Sequence, residues 1–283
     1  MKSCELFVAK SSDYYINAPS VRGRETFLYP LQTGHFLYEP GYRQQRASYD
    51  SFLLMYIQDG SLCVDLPNGQ QSVHKNQFVL IDCYQPHGYH SDNGWEALWL
   101  HFDGVVARGY YEQIIERLGN VFSLADPASC LNKLHLIYQA FYTGRTVKEA
   151  LMNKYITDIL TDFLLLVPAC QKQTDYATAI SSVTSFVSAH FQEPLTIGQL
   201  AALASLSPYH FIRIFRQETG FTPHEYLIQI RMHAARFLLV STELTVKEIC
   251  FETGFSCEST FCTAFKKING VTPNEYRNTV SCT

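Results

Sequence analysis

One segment occurs twice in the last hundred residues, and this duplication constrains the fold more than any other feature of the chain. Leu195-Thr-Ile-Gly-Gln-Leu-Ala and Leu244-Thr-Val-Lys-Glu-Ile-Cys align at an offset of 49 residues. After one inserted residue the offset is 50: Phe211 matches Phe261, Phe215 matches Phe265, Gly220 matches Gly270, and Thr222-Pro-His-Glu-Tyr226 matches Thr272-Pro-Asn-Glu-Tyr276. A period of this length marks one supersecondary unit built twice.

Each copy reads as helix, turn, helix, turn and the start of a third helix. Thr196 with Gln199 and Thr245 with Glu248 have the spacing of a capping box, in which the hydroxyl accepts an orphan amide and the N3 side chain reaches back. Thr222-Pro-x-Glu and Thr272-Pro-x-Glu repeat that spacing. Ser207-Pro208 places an N-cap before a proline at N1, where the missing N–H does no harm, and Ser256 is the expected cap in the second copy. Gly220 and Gly270 follow the second helix of each copy, where a left-handed residue closes a helix.

Within those second helices, Phe211, Ile214 and Phe215, and then Phe261, Ala264, Phe265 and Ile268, have the spacing of a buried stripe. The opposite faces present Tyr209, His210, Ile212, Arg213, Arg216 and Gln217 in the first copy, and Glu258, Ser259, Cys262, Thr263, Lys266 and Lys267 in the second. A short helix, a turn and a second helix with a polar outer face is the geometry that enters a DNA major groove. Between the copies, Pro223 to about Leu239 is helical, with Tyr226, Leu227, Ile230, Ala234 and Leu238 inward and Arg231 and Arg236 outward. A rod of about 25 Å would hold two recognition helices roughly one DNA turn apart.

Composition qualifies this reading. The chain has 283 residues and a formal net charge of -4, a balance that by itself speaks against a polyanionic partner. Residues 1–177 hold 14 basic and 18 acidic side chains, whereas 178–283 hold 8 of each, so the acidic excess lies outside the repeat. An apolar fraction of 47% suffices for packed cores and excludes a disordered tail protein. Ile159 to Val167 is the greasiest stretch, and Thr161 and Asp162 interrupt it, so no membrane span is expected. Met1 to Tyr15 lacks the apolar core of a secretion signal. The nine scattered cysteines contain no C-x-x-C pair, which fits a reducing cytoplasm better than a disulfide framework or a zinc site.

The repeat resembles the double helix-turn-helix domain of the AraC/XylS transcription regulators. The resemblance covers about 100 residues and is carried by His190, Leu195-Thr, Leu200-Ala, Leu206-Ser-Pro, Phe211, Phe215-Arg, Thr219-Gly, Tyr226, Arg231, Ala235, Leu238-Leu, Glu248-Ile, Gly254-Phe-Ser, Phe261, Phe265-Lys-Lys, Gly270-Val-Thr-Pro and Glu275-Tyr-Arg277. It implies base reading by Tyr209, Ile212 and Arg213 in the first recognition helix and by Ser259, Cys262 and Thr263 in the second. Many members carry arginine where this chain has Thr263, which cannot make the bidentate guanine contact open to Arg213. Sequence reading is therefore expected to lean on the first helix, with Lys266 and Lys267 holding phosphates.

Ahead of the repeat, apolar runs separated by turn residues read as strands: Phe52 to Gln58, Asp59-Gly60, Leu62 to Leu66, Pro67-Asn-Gly69, Phe78 to Cys83, Gln85-Pro-His-Gly88 and Trp95 to Phe102. This spacing suggests a small antiparallel barrel or sandwich. Val106 to Leu118, Leu131 to Tyr142 and Thr146 to Leu166 then have helical periodicity. The layout, Asp59-Gly60, Pro86-His87 and Trp99-Leu-His-Phe-Asp-Gly104 in particular, is similar to the cupin-like sensor domain of sugar-responsive AraC-type regulators, followed by its dimerising helices. The expected fold class is α+β: an arm at 1–25, a cupin-like antiparallel barrel at 26–105, dimerisation helices at 106–167, a linker at 168–177 and an all-α double helix-turn-helix domain at 178–283.

Fifteen tyrosines in residues 1–177 could cover the apolar face of a sugar while fixed polar groups take its hydroxyls. By position, Arg46, Tyr89 and Trp99 match ligand-contacting places in the sugar-sensing branch. The resemblance implies double-stranded operator DNA, a small-molecule effector of the sugar class, RNA polymerase and a second copy of the chain as partners, with activation as the output. Two other readings stand beside it: a ligand-independent dimeric DNA-binding regulator, and a metal-dependent cupin enzyme fused to a DNA-binding domain. His74, His87, His90 and His101 suggest the latter, but the early strands lack His-x-His followed by Glu, so no metal, cofactor or catalytic residue is expected. A DNA-alkylation repair domain would need clustered cysteines, and Cys4, Cys63, Cys83, Cys130 and Cys170 are isolated.

Overall fold

The structure is a computed structural model and describes residues 2–3, 5–144, 147–165 and 173–280. The chain divides into two compact units, Met1–Pro168 and Ala169–Thr283.

In the first unit, near-continuous apolar runs make central strands that are buried on both faces for much of their length, while the outer strands are polar. The strands are β1 (Asp13–Ile16), β2 (Leu28–Tyr38), β3 (Arg43–Arg46), β4 (Phe52–Leu66), β5 (Gly69–His74), β6 (Phe78–Asp82), β7 (His87–His90), β8 (Trp95–Gly104) and β9 (Val121–Phe122). All pairings are antiparallel, in the order β1-β2-β8-β4-β6-β9, while β5 and β7 pair with the second half of β4 and β3 pairs with β7. Leu53, Met55 and Ile57 of β4 pack in the barrel interior with Val79, Ile81 and Ala97. Their neighbours Phe52, Leu54 and Tyr56 pack on the other side, against α2 (Ala107–Leu118), α3 (Ala128–Tyr142) and α4 (Glu149–Leu165). The sheet is thus the middle of three layers, and this explains why β4 and β6 lack polar alternation.

Asp59-Gly60, expected as a turn, lies inside a single 15-residue strand. The register against β8 shifts between Ile57 and Asp59, and Gly60 has φ +77°. A Cβ there would strike the Gly94 carbonyl oxygen. This is a bulge, and it lets one strand turn out of the first sheet layer into the second. The sheet also exceeds the expected barrel limits at both ends, since β1 lies in the expected arm and β9 in the expected helical segment. Residues 21–26 of the arm form α1 (Val21–Thr26), capped by the Ser20 hydroxyl.

The second unit is all helical: α5 (Gln173–His190), α6 (Ile197–Leu203), α7 (Pro208–Thr219), α8 (Pro223–Ser241), α9 (Val246–Glu252), α10 (Glu258–Asn269) and α11 (Pro273–Val280). Of the expected linker, residues 168–172 lie outside the described residues and 173–177 begin α5. Thr196, Thr222 and Thr245 cap α6, α8 and α9 with complete capping boxes, and Thr272 and Glu275 make the same reciprocal bonds at α11. Gly220 and Gly270 close α7 and α10 in the left-handed region at φ +79°. The cap of α10 is Cys257 rather than Ser256, because the helix starts one residue later than expected.

Each repeat has its own core, and α8 serves both. Leu227, near its start, joins Phe211, Ile214 and Phe215, while Met232, Ala235 and Leu239 join Ile249, Phe261 and Phe265. Arg231, expected to point outward, is buried where the two cores meet. Its Nε donates to Phe191 O at 2.8 Å, its Nη2 donates to Glu193 O at 2.9 Å, and its guanidinium lies 5.5 Å from the Phe255 ring centroid. The carbonyls just beyond the end of α5 lack intrahelical donors, and a buried arginine supplies them. Arg236 is half-buried, donating to Asn269 Oδ1 at 2.8 Å.

Candidate functional site

Two places in the fold collect the candidate residues. The first is the outer face of α7 and α10. The apolar stripe of α7 faces the core, which leaves Tyr209 84% exposed and Ile212, Arg213 and Arg216 in solvent. His210 is half-buried, its ring 5.3 Å from that of Tyr176 and its Nε2 3.4 Å from Arg213 Nη2. The histidine therefore anchors one end of the arginine fork and leaves the rest of the guanidinium free to turn outward. On α10, Ser259, Thr263, Lys266 and Lys267 are exposed. Cys262, expected on the outer face, is half-buried against the second core. The Thr263 hydroxyl donates to Ser259 O at 2.8 Å, an internal bond that further limits its reach. The two faces differ chemically: α7 offers a planar fork with an aromatic beside it, and α10 offers short hydroxyls and two point charges.

The second place is the barrel interior. Arg46 at the end of β3, Tyr89 on β7 and Trp99 on β8 line a single small cavity of about 40 Å³, with Gln32, Tyr38, Tyr42, His101 and Glu5 among its other walls. The aromatic walls hold one another in place: Tyr42 and Tyr89 stack at 6.2 Å, and Phe36 meets Trp99 edge-on at 5.2 Å. Tyr42 donates to Glu5 Oε2 at 2.9 Å, so a carboxylate from the N-terminal segment forms part of the wall. The indole N–H of Trp99 is buried without a hydrogen-bond partner. Arg46 lies 5.0 Å from the Tyr49 ring centroid and makes no ion pair among the described residues.

Electrostatics follow from burial. His101 shares a hydrogen bond between Nδ1 and Ser51 Oγ at 2.8 Å, and burial, helped by the Arg46 charge, pushes its pKa down to about 3. Burial pushes the Tyr89 hydroxyl up to about 12 and raises Tyr38 and Tyr42 as well, so all three phenols keep their protons. A wider cavity of about 440 Å³ lies on the other side of Arg46, between Gln45, Asp65, Pro67, Pro86 and His87. His87 Nε2 is buried without a partner, while its Nδ1 lies 2.9 Å from Gln85 O. Among the described residues, no group of three or more His, Cys, Asp or Glu could hold a metal ion. His90 instead pairs with Asp65 at 3.3 Å, and His74 is exposed.

Glu5, Gln32, Tyr38 and Tyr42 had no role in the sequence reading. They precede the first strand recognised there, although the alternation of Phe36 and Tyr38 with half-buried and exposed neighbours in β2 is the signal that could have found that strand.

Residues 200–279 match the helix-turn-helix domain family, and residues 29–153 match the AraC-like ligand binding domain. The chain belongs to the AraC family. The MmsAB operon regulatory protein of Pseudomonas aeruginosa is 23% identical over 266 residues, covering 89% of this chain and 83% of that protein. The bifunctional transcriptional activator/DNA repair enzyme AdaA of Bacillus subtilis is 34% identical over 110 residues, 39% of this chain and 52% of AdaA, so the chain spans about half of that relative. Among solved structures, the C-terminal domain of AraT, a response regulator from Geobacillus stearothermophilus, is 37% identical over 36% of this chain and 84% of that domain, with a TM-score of 0.35. This AraC-family chain is a transcription regulator with a ligand-binding domain and a helix-turn-helix domain. The MmsAB protein is named as a regulator, and AdaA as both a transcriptional activator and a DNA repair enzyme. Among the described residues, no helix is long and apolar enough to cross a membrane.

Proposed function

We propose that this AraC-family regulator is a cytoplasmic one-component switch, in which a small polar effector of the sugar class enters the barrel and changes how a dimer engages its operator. Arg213 reads a guanine edge, with Tyr209 and Ile212 against neighbouring bases and His210 and Arg216 beside them. Ser259, Cys262 and Thr263 contribute shorter contacts, and Lys266 and Lys267 hold phosphates. Effector contacts come from Arg46, Tyr89 and Trp99. The helices of residues 106–167, α2 to α4, supply the dimer interface, and the output is recruitment of RNA polymerase and activation.

The observation that carries this reading is the doubled helix-turn-helix with both recognition helices turned polar face outward on one shared helix, α8. Nineteen residues make α8 about 28 Å long, enough to set two recognition helices close to one DNA turn apart. The effector acts through differential affinity for two arrangements of the N-terminal segment, since only a difference in binding free energy can move the equilibrium.

The test is operator binding. Fragments selected from the source genome by the full chain give the operator, and Arg213→Ala is expected to cost about 1 to 3 kcal/mol and relax preference at one base pair. Wild-type affinity for the Arg213→Ala variant would show that α7 presents a different face to DNA.

A further inference from the structure

Among the walls of the barrel cavity stands one cation, Arg46, in a setting of neutral polar groups. Arg46 brings a guanidinium with five N–H groups, Trp99 an indole N–H that can only donate, and Tyr38, Tyr42 and Tyr89 hydroxyls that remain protonated. The Trp99 donor is buried and unpartnered, and Arg46 has no ion pair among the described residues. Gln32 donates its amide N–H to Tyr49 Oη at 2.6 Å, which leaves its carbonyl oxygen as an uncharged acceptor in the wall. The single fixed negative charge among the lining residues is Glu5, which comes not from the barrel strands but from the segment ahead of β1, and Tyr42 already donates to it. Take Glu5 away, and the lining keeps one positive charge, Arg46, and no anion to answer it. A neutral sugar can bond to these walls through its hydroxyls but brings no charge to answer Arg46. A carboxylate offers acceptors only, in the planar geometry that an arginine fork matches.

We infer that the effector is a hydroxylated carboxylic acid, a sugar acid rather than a neutral sugar, and that Glu5 is an internal surrogate for its carboxylate. This rests on the reading of the barrel as the effector site and narrows its ligand class. In the closed arrangement the cavity holds only a few waters' worth of space, so the acid enters by displacing Glu5 from Tyr42. The hydroxyls of the acid then meet the aromatic and phenolic walls, and its carboxylate takes the position between Tyr42 and Arg46. The bland account is that Glu5 and Tyr42 simply tether the arm. That account predicts no charge preference in ligand binding.

The test uses the full chain, by calorimetry and by fluorescence of its two tryptophans, Trp95 and Trp99, which both lie in the barrel. The probes are matched pairs: galacturonate with galactose, glucuronate with glucose, and gluconate with sorbitol. At least one acid is expected to bind at least tenfold more tightly than its neutral partner. Arg46→Gln should lower that acid's affinity about 10- to 100-fold and erase the difference within the pair, Arg46→Lys should retain part of it, and Glu5→Gln should tighten binding. Each variant is compared with wild type by thermal unfolding, so that a folding defect is not read as lost binding. A neutral sugar that binds as well as its acid, or a preference for the acid that survives Arg46→Gln, overturns the carboxylate and leaves the effector reading standing. Absence of binding by every compound, in wild type and in Glu5→Gln, overturns both.

Discussion

Arg231 shows how far one side chain's role can depart from its place on a helical wheel. Its position on α8 reads as outward, yet its guanidinium answers two backbone carbonyls at the end of α5 and packs on Phe255 from the second repeat. Gly254 follows from the same contact: it sits at φ +80°, and a Cβ there would lie 2.6 Å from Gln192 O and 2.9 Å from Arg231 Nη2. Arg231→Met keeps the stem but removes the donors to the carbonyls of half-buried Phe191 and exposed Glu193, a loss of about 1 to 3 kcal/mol in all. Urea unfolding of the full chain, followed by far-ultraviolet circular dichroism, is expected to show the helical unit melting at lower denaturant while the tryptophan signal of the barrel unit keeps its midpoint. A shift of both signals together would mean that Arg231 acts on more than the junction of the two repeats.

Among the elements, the two recognition helices are built alike and equipped differently. Both are 12 residues long, both close on a left-handed glycine, and both bury a pair of phenylalanines four residues apart. One outer face then carries Arg213 with His210 at 3.4 Å, and the other carries Thr263 with its hydroxyl committed to Ser259 O. In the proposed reading, this asymmetry gives base discrimination to α7 and electrostatic attachment to α10. Lys266→Ala is expected to weaken binding to all DNA sequences alike and to lower the slope of log K against log salt by about one unit. A loss confined to one operator base pair would place Lys266 at a base edge instead.

Across the whole molecule, the two units differ in charge and in chemistry. The acidic excess lies in residues 1–177, so the overall charge of -4 says little about the balanced helical unit that meets DNA. The barrel unit carries a strongly acid-sensitive group, His101. The pKa of His101 lies near 3 in the folded barrel against an ordinary value of 6.5, so below pH 6.5 the unfolded chain takes up a proton that the folded barrel excludes. Above pH 6.5 the group has no effect on stability. Below it, stability falls by up to about 1.4 kcal/mol per pH unit until the folded value is reached. Both tryptophans belong to this unit, so their fluorescence follows its unfolding alone. The denaturation midpoint by this signal is expected to drop between pH 7 and pH 5, and to drop less in His101→Asn. An equal drop in the variant would assign the acid sensitivity to other groups.

The chain's local rules were legible in its residues. Capping boxes, left-handed glycines and apolar stripes lie within one or two helical turns, and so the doubled helix-turn-helix could be read directly, together with the residues on its outer faces. The strands were read less well: Asp59-Gly60 has the composition of a turn, and only the close approach of Gly94 makes it a bulge inside one long strand. Arg46, Tyr89 and Trp99 could be named from resemblance, but their convergence on one cavity depends on β3 pairing with β7, about 40 residues further along the chain, and on β4 pairing with both β7 and β8. The roles of Glu5 and Arg231 depend on partners 37 and about 40 residues away. Such contacts follow no local period. By itself the sequence determined the helices of the repeat and most of the faces they bury; tertiary structure decided the course of the strands and which charges and donors end up without a partner, because burial and pairing are set by strands and helices brought together from distant parts of the chain.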